Sequence, residues 1–236
     1  MILGVIQARM SSSRLPGKVL ADLVGAPMLG RQVERLRRSR RLDALVLATS
    51  DQPDDDPVAA YAERIGLPVV RGPLADVLGR FAAVLDAWPQ ATTLVRLTAD
   101  CPLADWRVLD AVIERLAETG ADYVNNTTAA AAKTFPHGLD VEAMRAEVLR
   151  QAASEATDPY DCEHVTPFIY RQPDRFRIEG LMRTPSLAHL RWTVDYPEDL
   201  DFVRHVYGAL YAANPDFSTE DVAALDWNSS KANPPL

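Results

Sequence analysis

Aliphatic, β-branched runs alternate with helix-length segments along the first half of this chain, and that alternation constrains the fold more than any other feature. "ILGVIQ" (2–7), "ALVLATS" (44–50), "LPVVRG" (67–72), "TLVRLT" (93–98) and "DYVNN" (122–126) read as strands, with helical segments at 27–41, 55–65, 76–87 and 105–119 between them. Strands separated by helices of this length make βαβ units, so the expected fold is α/β with a doubly wound, mostly parallel sheet. After residue 126 the rhythm loosens. A loop at 127–138 leads to a strand at 139–144 and helices at 146–156 and 161–172. "FRIEGLM" and "LRWTV" read as late strands, before a helix at 198–212 and a short one near 219–226. No linker and no solenoid-length repeat interrupts this order, so one domain over 1–227 is expected, with 228–236 a frayed tail. Trp106, Trp192 and Phe202 are expected in the core.

Composition narrows the class. With 236 residues, 47% of them apolar, the chain can bury a sizeable core. Its two cysteines, Cys101 and Cys162, form neither a disulfide framework nor a CxxC pair, which suits a reducing compartment. No apolar run approaches transmembrane length, and no basic segment precedes the short apolar N-terminus. A soluble, cytoplasmic protein without a membrane partner is expected. The net charge of −8 argues against general nucleic-acid binding. That charge is uneven: residues 1–41 hold nine Lys+Arg against two Asp+Glu, a net of +7, which leaves −15 for the rest. Part of the basic excess, "RLRRSRR" (35–41), reads as the solvated face and last turn of a helix, where cations suit the dipole.

The other cations of that stretch need a different account. "QARMSSSRLPGK" (7–18) places Arg9, Arg14 and Lys18 on a loop directly after a buried strand and before a helix. Strand, cationic loop, helix is an arrangement that receives phosphates. Arg grips phosphate oxygens bidentately and Lys supplies a mobile point charge, while the serines and Gly17 let backbone N–H groups approach. The loop is neither GxxxxGK[ST] nor GxGxxG. An ordinary charged surface loop is the competing reading.

A short internal echo bears on the choice. "LVRLTADCP" and "LRWTVDYP" both end a strand in T-x-D-x-P, at Asp100 and Asp195. Open α/β sheets bind ligands at such carboxyl strand ends. Taken singly, each aspartate serves equally well as the N-cap of the helix that follows. As a pair facing a cationic loop they favour a shared Mg²⁺, with water and phosphate oxygens completing the octahedron. Without metal, their mutual repulsion should raise at least one pKa.

"QARMSSSRLPGKVL" resembles the A-R-x-x-S-x-R-L-P-x-K loop of the CMP-sugar synthetases, notably the CMP-Kdo synthetases. "LATSDQPDDDPVAAYAERIGLPVVRGPLADVLGRF", "VRLTADCPLAD", "DCEHVTPFIY" and "LRWTVDYPEDLDFVRHVY" look like the spore-coat polysaccharide branch of the cytidylyltransferase family. The resemblance covers roughly residues 1–212 and rests on the ordered set of motifs. It implies a GT-A-like nucleotide-diphospho-sugar transferase fold. It further implies CTP as nucleotide, Mg²⁺ as cofactor, in-line attack of an acceptor oxygen on the α-phosphorus, and release of pyrophosphate. Carried over by residue, Arg9 and Lys18 hold the triphosphate, assisted by Arg14, and Asp100 and Asp195 hold Mg²⁺. Ala8, Arg71 and Asp76 line the nucleoside pocket, where an N–H near Ala8 donates to the base and carbonyls around Arg71–Asp76 accept from it. Arg9 and Lys18 are expected to face solvent before ligand binds. A homodimer is implied too, paired through an arm near 127–145, with a strand at 139–144 at the interface and Phe135 or His137 near a neighbouring site.

For the acceptor, the resemblance points loosely to "KTFPHGLDVE" and "DCEHVTP", which offer His137, Asp140, Glu163 and His164. His164 also lies beside an apolar stripe of Val165, Phe168 and Ile169, where a structural role competes. Cys101 is expected to pack, because Mg²⁺ prefers oxygen, and Cys162–His164 lacks zinc spacing. The Ala-rich region 125–145 departs from the Kdo and sialate enzymes, so a sugar hydroxyl, a phosphate or a phosphonate all remain open as the small-molecule acceptor. Two rivals stand. A nucleotide-sugar-dependent glycosyltransferase shares the fold class but usually carries D-x-D at its metal, where "ADCP" offers one aspartate. A non-catalytic nucleotide-binding protein has no need of the cationic loop and both aspartates together.

Overall fold

The computed structural model describes residues 1–127 and 133–225; the expected tail and the middle of the expected arm lie outside them. The first half follows the βαβ alternation. Strands β1 (Ile2–Gln7), β2 (Ala44–Ser50), β3 (Val69–Gly72) and β4 (Thr93–Thr98) are mutually parallel. They are linked through helices α1 (Met28–Leu36), α2 (Asp56–Arg64) and α3 (Val77–Ala87). Helix α4 (Trp106–Thr119) leads to β5 (Tyr123–Asn125), then β6 (Glu142–Arg145) and α5 (Ala146–Glu155). Two short helices, α6 (Pro159–His164) and α7 (Pro167–Tyr170), precede β7 (Ile178–Gly180), α8 (Pro197–Leu210) and α9 (Thr219–Ala223). The sheet order is β3-β2-β1-β4-β6-β5-β7, with β6 antiparallel to both neighbours.

Period-2 alternation along the strands feeds a core on each face. Ile6, Leu45, Leu47, Val95 and Leu97 point to the face covered by α1, α2, α4 and α8; Leu3, Val5, Val46 and Leu94 point to the face covered by α3 and α5. Chain order reverses beside β1, which has β2 on one side and β4 on the other, and such a switch point opens a crevice at the carboxyl ends of the strands.

Several expectations are corrected here. The first helix stops at Leu36 rather than residue 41, because Ser39 N–H turns back to the Leu36 carbonyl and Arg40 N–H is captured by Asp110. Arg35 is not on a solvated face. It is buried, donates to the carbonyls of Ala104 and Phe217, and lies over the Phe217 ring. The helix expected over 161–172 is two pieces, because Val165 adopts a positive φ of 73° and Pro167 follows it. "LRWTV" forms only an isolated bridge, His137 with Arg191. The strand expected at an interface is β6, buried between β4 and β5, and Phe135 packs in its own chain's core. Neither is available to a neighbouring subunit. Trp192 and Phe202 are buried in the core, whereas Trp106 donates its indole N–H to Asp216.

Candidate active site

The loop after β1 is held in shape by its backbone. Ala8 N–H continues the sheet to the Ala48 carbonyl at 3.2 Å, and Met10 N–H is taken by the buried Asp55 at 2.6 Å. Both Ser12 N–H and Gly17 N–H return to the Met10 carbonyl at 2.9 Å. Gly17 closes the turn at φ 74°, a conformation that suits glycine, and the 3₁₀ turn Lys18–Leu20 follows. That closure sends Lys18 inward, so the side chain expected in solvent is buried; Arg9 is exposed as expected. Lys18 Nζ lies 2.6 Å from the Val194 carbonyl, 3.2 Å from Asp195 Oδ1 and 3.4 Å from Asp100 Oδ2.

The two T-x-D-x-P segments meet. Val194 N–H donates to the Asp100 carbonyl at 2.8 Å, which brings both aspartates to one ammonium group. Neither caps a helix. Asp105 is the N-cap of α4, accepting from Arg107 N–H, and Asp199 accepts the N–H groups of Asp195 and Tyr196 ahead of α8. Asp195 also takes Arg14 and Arg191, each at 2.7 Å. The expected upward pKa shift from repulsion is therefore reversed at Asp195: burial pushes its carboxyl up, but Lys18, Arg14 and Arg191 together hold it below the ordinary value. A cation already stands between the carboxylates, so the place itself suits one. No group of three His, Cys, Asp or Glu side chains among the described residues could ligate a metal, so a divalent ion here would take its other oxygens from phosphate and water. Cys101 is buried against Thr98, and burial pushes its thiol pKa up, as packing rather than ligation requires.

Two cavities flank this pair and share Asp100, Asp195, Arg14, Thr98 and Gln7. The first, about 240 Å³, runs under the loop, where Ala8, Arg9 and Lys18 line it together with Val77 and Arg80 of α3. Glu163 and His164 belong to this cavity, not to the one beyond the aspartates. Both are exposed, and the Tyr160 ring lies 4.3 Å from the His164 ring. Among the described residues lining either cavity, Arg71 and Asp76 do not appear. Arg71 is drawn away by the carbonyls of Ser50 and Gln52 and by Asp56, and Asp76 caps α3 through Gly79 N–H.

The second cavity, about 650 Å³, is lined by His137, Asp140, Glu142, Arg96 and Arg191. His137 and Asp140 are pressed to its wall by a close backbone crossing. Trp192 N–H donates to the His137 carbonyl at 2.6 Å, and Gly138, at φ 104°, leaves no room for a Cβ, which would fall 2.4 Å from Thr193 N. His137 Nε2 is 3.8 Å from Asp140 Oδ2, while His137 Nδ1 and Asp140 Oδ1 are buried without a hydrogen-bond partner among the described residues. Burial raises the Asp140 pKa to about 6, with Glu142 and Asp100 adding to the rise and Lys133 opposing it. Burial lowers the His137 pKa, helped by Lys133 and Arg191. Glu142 is committed to structure, held by Arg96, Tyr123 and Thr166.

Sequence reasoning missed Arg80, Arg96 and Arg191. Each had a signal: a cation in the apolar first turns of a helix, one in the middle of a strand, and one four residues before a T-x-D-x-P aspartate.

The fold agrees with comparisons to known proteins. The model of the cytidylyltransferase family matches residues 3–210. Spore coat polysaccharide biosynthesis protein SpsF of Bacillus subtilis is 34% identical over 234 residues, covering 95% of this chain and 93% of that protein. A cytidylyltransferase from Leptospira borgpetersenii superposes with a TM-score of 0.86 at 28% identity, over 94% of this chain and 92% of the other. CMP:2-keto-3-deoxy-manno-octonic acid synthetase, solved in complex with CTP, shares the fold at a TM-score of 0.65 and 19% identity, over 88% of this chain and 98% of its own.

Proposed function

The chain belongs to the cytidylyltransferase family and is a nucleotidyltransferase; from that premise we propose that it joins CTP to a hydroxyl-bearing, sugar-like acceptor and releases pyrophosphate. One observation carries this reading: Asp100 and Asp195 stand on the wall shared by two cavities, with Lys18 between them. The first cavity takes the nucleotide. Arg9, Arg14 and Lys18 face its phosphates, and Ala8 marks the nucleoside end. The second takes the acceptor, beside His137 and Asp140.

Phosphoryl chemistry of this kind needs positioning and charge neutralisation more than covalent help. The acceptor oxygen attacks the α-phosphorus from the second cavity. The bond to the β-phosphate breaks, and pyrophosphate leaves on the loop side, where the three cations balance its charge. Asp140 accepts the hydroxyl proton, and a carboxyl pKa near 6 suits a base working close to neutrality. Asp100 and Asp195 would hold Mg²⁺, which supplies further neutralisation of the phosphate oxygens when bound. Lys18, released from the carboxylates, then turns to the triphosphate. Glu163 and His164, on the nucleotide side, border the first cavity and contact the acceptor only if it reaches across the aspartates.

The reading extends to surface polysaccharide or glycoconjugate biosynthesis in the cytoplasm, supported by the resemblance to SpsF. No helix among the described residues is long and apolar enough to cross a membrane. A homodimer remains part of the proposal, and light scattering at micromolar concentration tests it, a monomer counting against it. The function itself is tested by pyrophosphate release from each of the four NTPs, with sugars, sugar acids and phosphonates as acceptors, with Mg²⁺ and with chelator. Release that requires CTP, acceptor and Mg²⁺ is the expected result. Turnover of a nucleotide sugar without any NTP would instead favour the glycosyltransferase rival.

A further inference from the structure

Arg80 is the unexplained charge of the first cavity. It is 3% exposed, yet its Nε and Nη1 have no hydrogen-bond partner among the described residues. A buried guanidinium with idle donors costs stability unless a ligand completes it. Its stem is fixed, because Arg80 Cγ fills the space beside Gly72 at the end of β3; a Cβ on that glycine would fall 2.8 Å from it. Burial lowers its pKa, Asp55, Asp76 and Asp51 act against that, and Arg9 adds to it.

We infer that Arg80 reads the base of the bound nucleotide, its guanidinium donating to the acceptors O2 and N3 of cytosine. Three observations support the base over the phosphates. Arg80 and Lys18 enter the cavity from opposite faces of the sheet, since the α3 side chains pack in one core layer and Val19, next to Lys18, in the other. Lys18 and the aspartates mark the phosphate side, and Arg80 enters from the other layer. Asp55, Asp76 and Asp51 act on Arg80 against the single cation Arg9 among the largest influences on it from the described residues, and repel a triphosphate more than a neutral ring. Finally, two of the backbone donors near Ala8 are taken by the fold: Ala8 N–H by Ala48 and Met10 N–H by Asp55. Uracil presents N3–H where cytosine presents a lone pair, so one donor of Arg80 would meet another donor. A wrong base then leaves a buried charge unpaired, the condition under which discrimination is strong.

This inference rests on the cytidylyltransferase reading, and its test separates the two. CTP and UTP are titrated calorimetrically, with Mg²⁺, into the wild-type protein, Arg80→Met and Arg80→Lys, with thermal melts of the free proteins alongside. Wild type is expected to prefer CTP. Arg80→Met should weaken CTP roughly 10- to 100-fold, the range for a hydrogen bond to a charged group, while UTP changes by no more than about 3-fold. Arg80→Lys, which keeps the charge without the paired donors, should also lose the preference. The free Arg80→Met protein should melt no lower than wild type, since it loses a buried charge whose Nε and Nη1 have no hydrogen-bond partner among the described residues. Equal losses for CTP and UTP would make Arg80 a phosphate ligand and overturn the inference, as would unchanged CTP binding. A wild-type protein that binds UTP as well as CTP would overturn the cytidine reading itself, and Arg80's role with it.

Discussion

Replacing Asp140 by Asn tests the acceptor side of the site through stability as well as turnover. Its carboxyl pKa stands at about 6 against an ordinary 3.8, chiefly through burial. A carboxylate raised in this way favours the folded state less once it ionises. The penalty is absent below about pH 4, grows through the folded pKa near 6, and is complete above about pH 7. A shift of roughly 2 units corresponds to at most about 3 kcal/mol, and partial exposure of the side chain reduces that to about 1–3 kcal/mol. Urea unfolding of wild type and Asp140→Asn from pH 4 to 8 should therefore show the variant gaining stability relative to wild type as pH rises. The charged and titratable neighbours, Lys133, Glu142, Asp100 and His137, remain in both proteins and largely cancel in the difference. Turnover should move the other way. Asp140→Asn should lose about 10²- to 10⁴-fold in kcat with CTP affinity kept within a few fold, and wild-type kcat should fall below about pH 6. A stability difference independent of pH would refute the assigned protonation, and a variant with normal kcat would refute the proton transfer.

Lys18→Met should cut pyrophosphate release about 10²- to 10³-fold. It should also make the free protein gain more melting temperature from added Mg²⁺ than wild type does, because Asp100 and Asp195 are then relieved of their ammonium; an equal Mg²⁺ response would count against a shared ion site. Arg9→Ala should lower nucleotide turnover at least 10-fold with a melting temperature within about 2 °C of wild type, since the side chain is exposed; a folding defect would make its role structural. Gly138→Ala should destabilise by about 2 kcal/mol or more in urea unfolding, because its positive φ and the 2.4 Å approach to Thr193 leave no strain-free position for a methyl group; wild-type stability would contradict the crossing.

What the sequence disclosed divides along a physical line. Period-2 strands and amphipathic helices act locally, so the parallel half of the sheet was legible, as was the doubling of T-x-D-x-P at its ligand end. Which polar groups remain idle after folding is a non-local property. Lys18 looked like a mobile surface cation until the Gly17 turn aimed it at the Val194 carbonyl. Arg71 looked like a pocket residue until Ser50, Gln52 and Asp56 absorbed it, and Asp76 until it was seen to cap α3. Arg80 was missed for the converse reason: only the folded chain shows that none of the described residues takes its Nε or Nη1. The same accounting separates Glu142 from Asp140, two carboxylates two residues apart. Glu142 has Arg96, Tyr123 and Thr166 and is spent on holding β6, whereas Asp140 keeps a buried oxygen without a hydrogen-bond partner among the described residues. A residue whose hydrogen-bonding capacity is consumed by the fold stabilises it. One buried with capacity to spare imposes a cost that substrate binding can relieve, and in this protein the two plainest cases, Arg80 and Asp140, lie one in each cavity beside the aspartate pair.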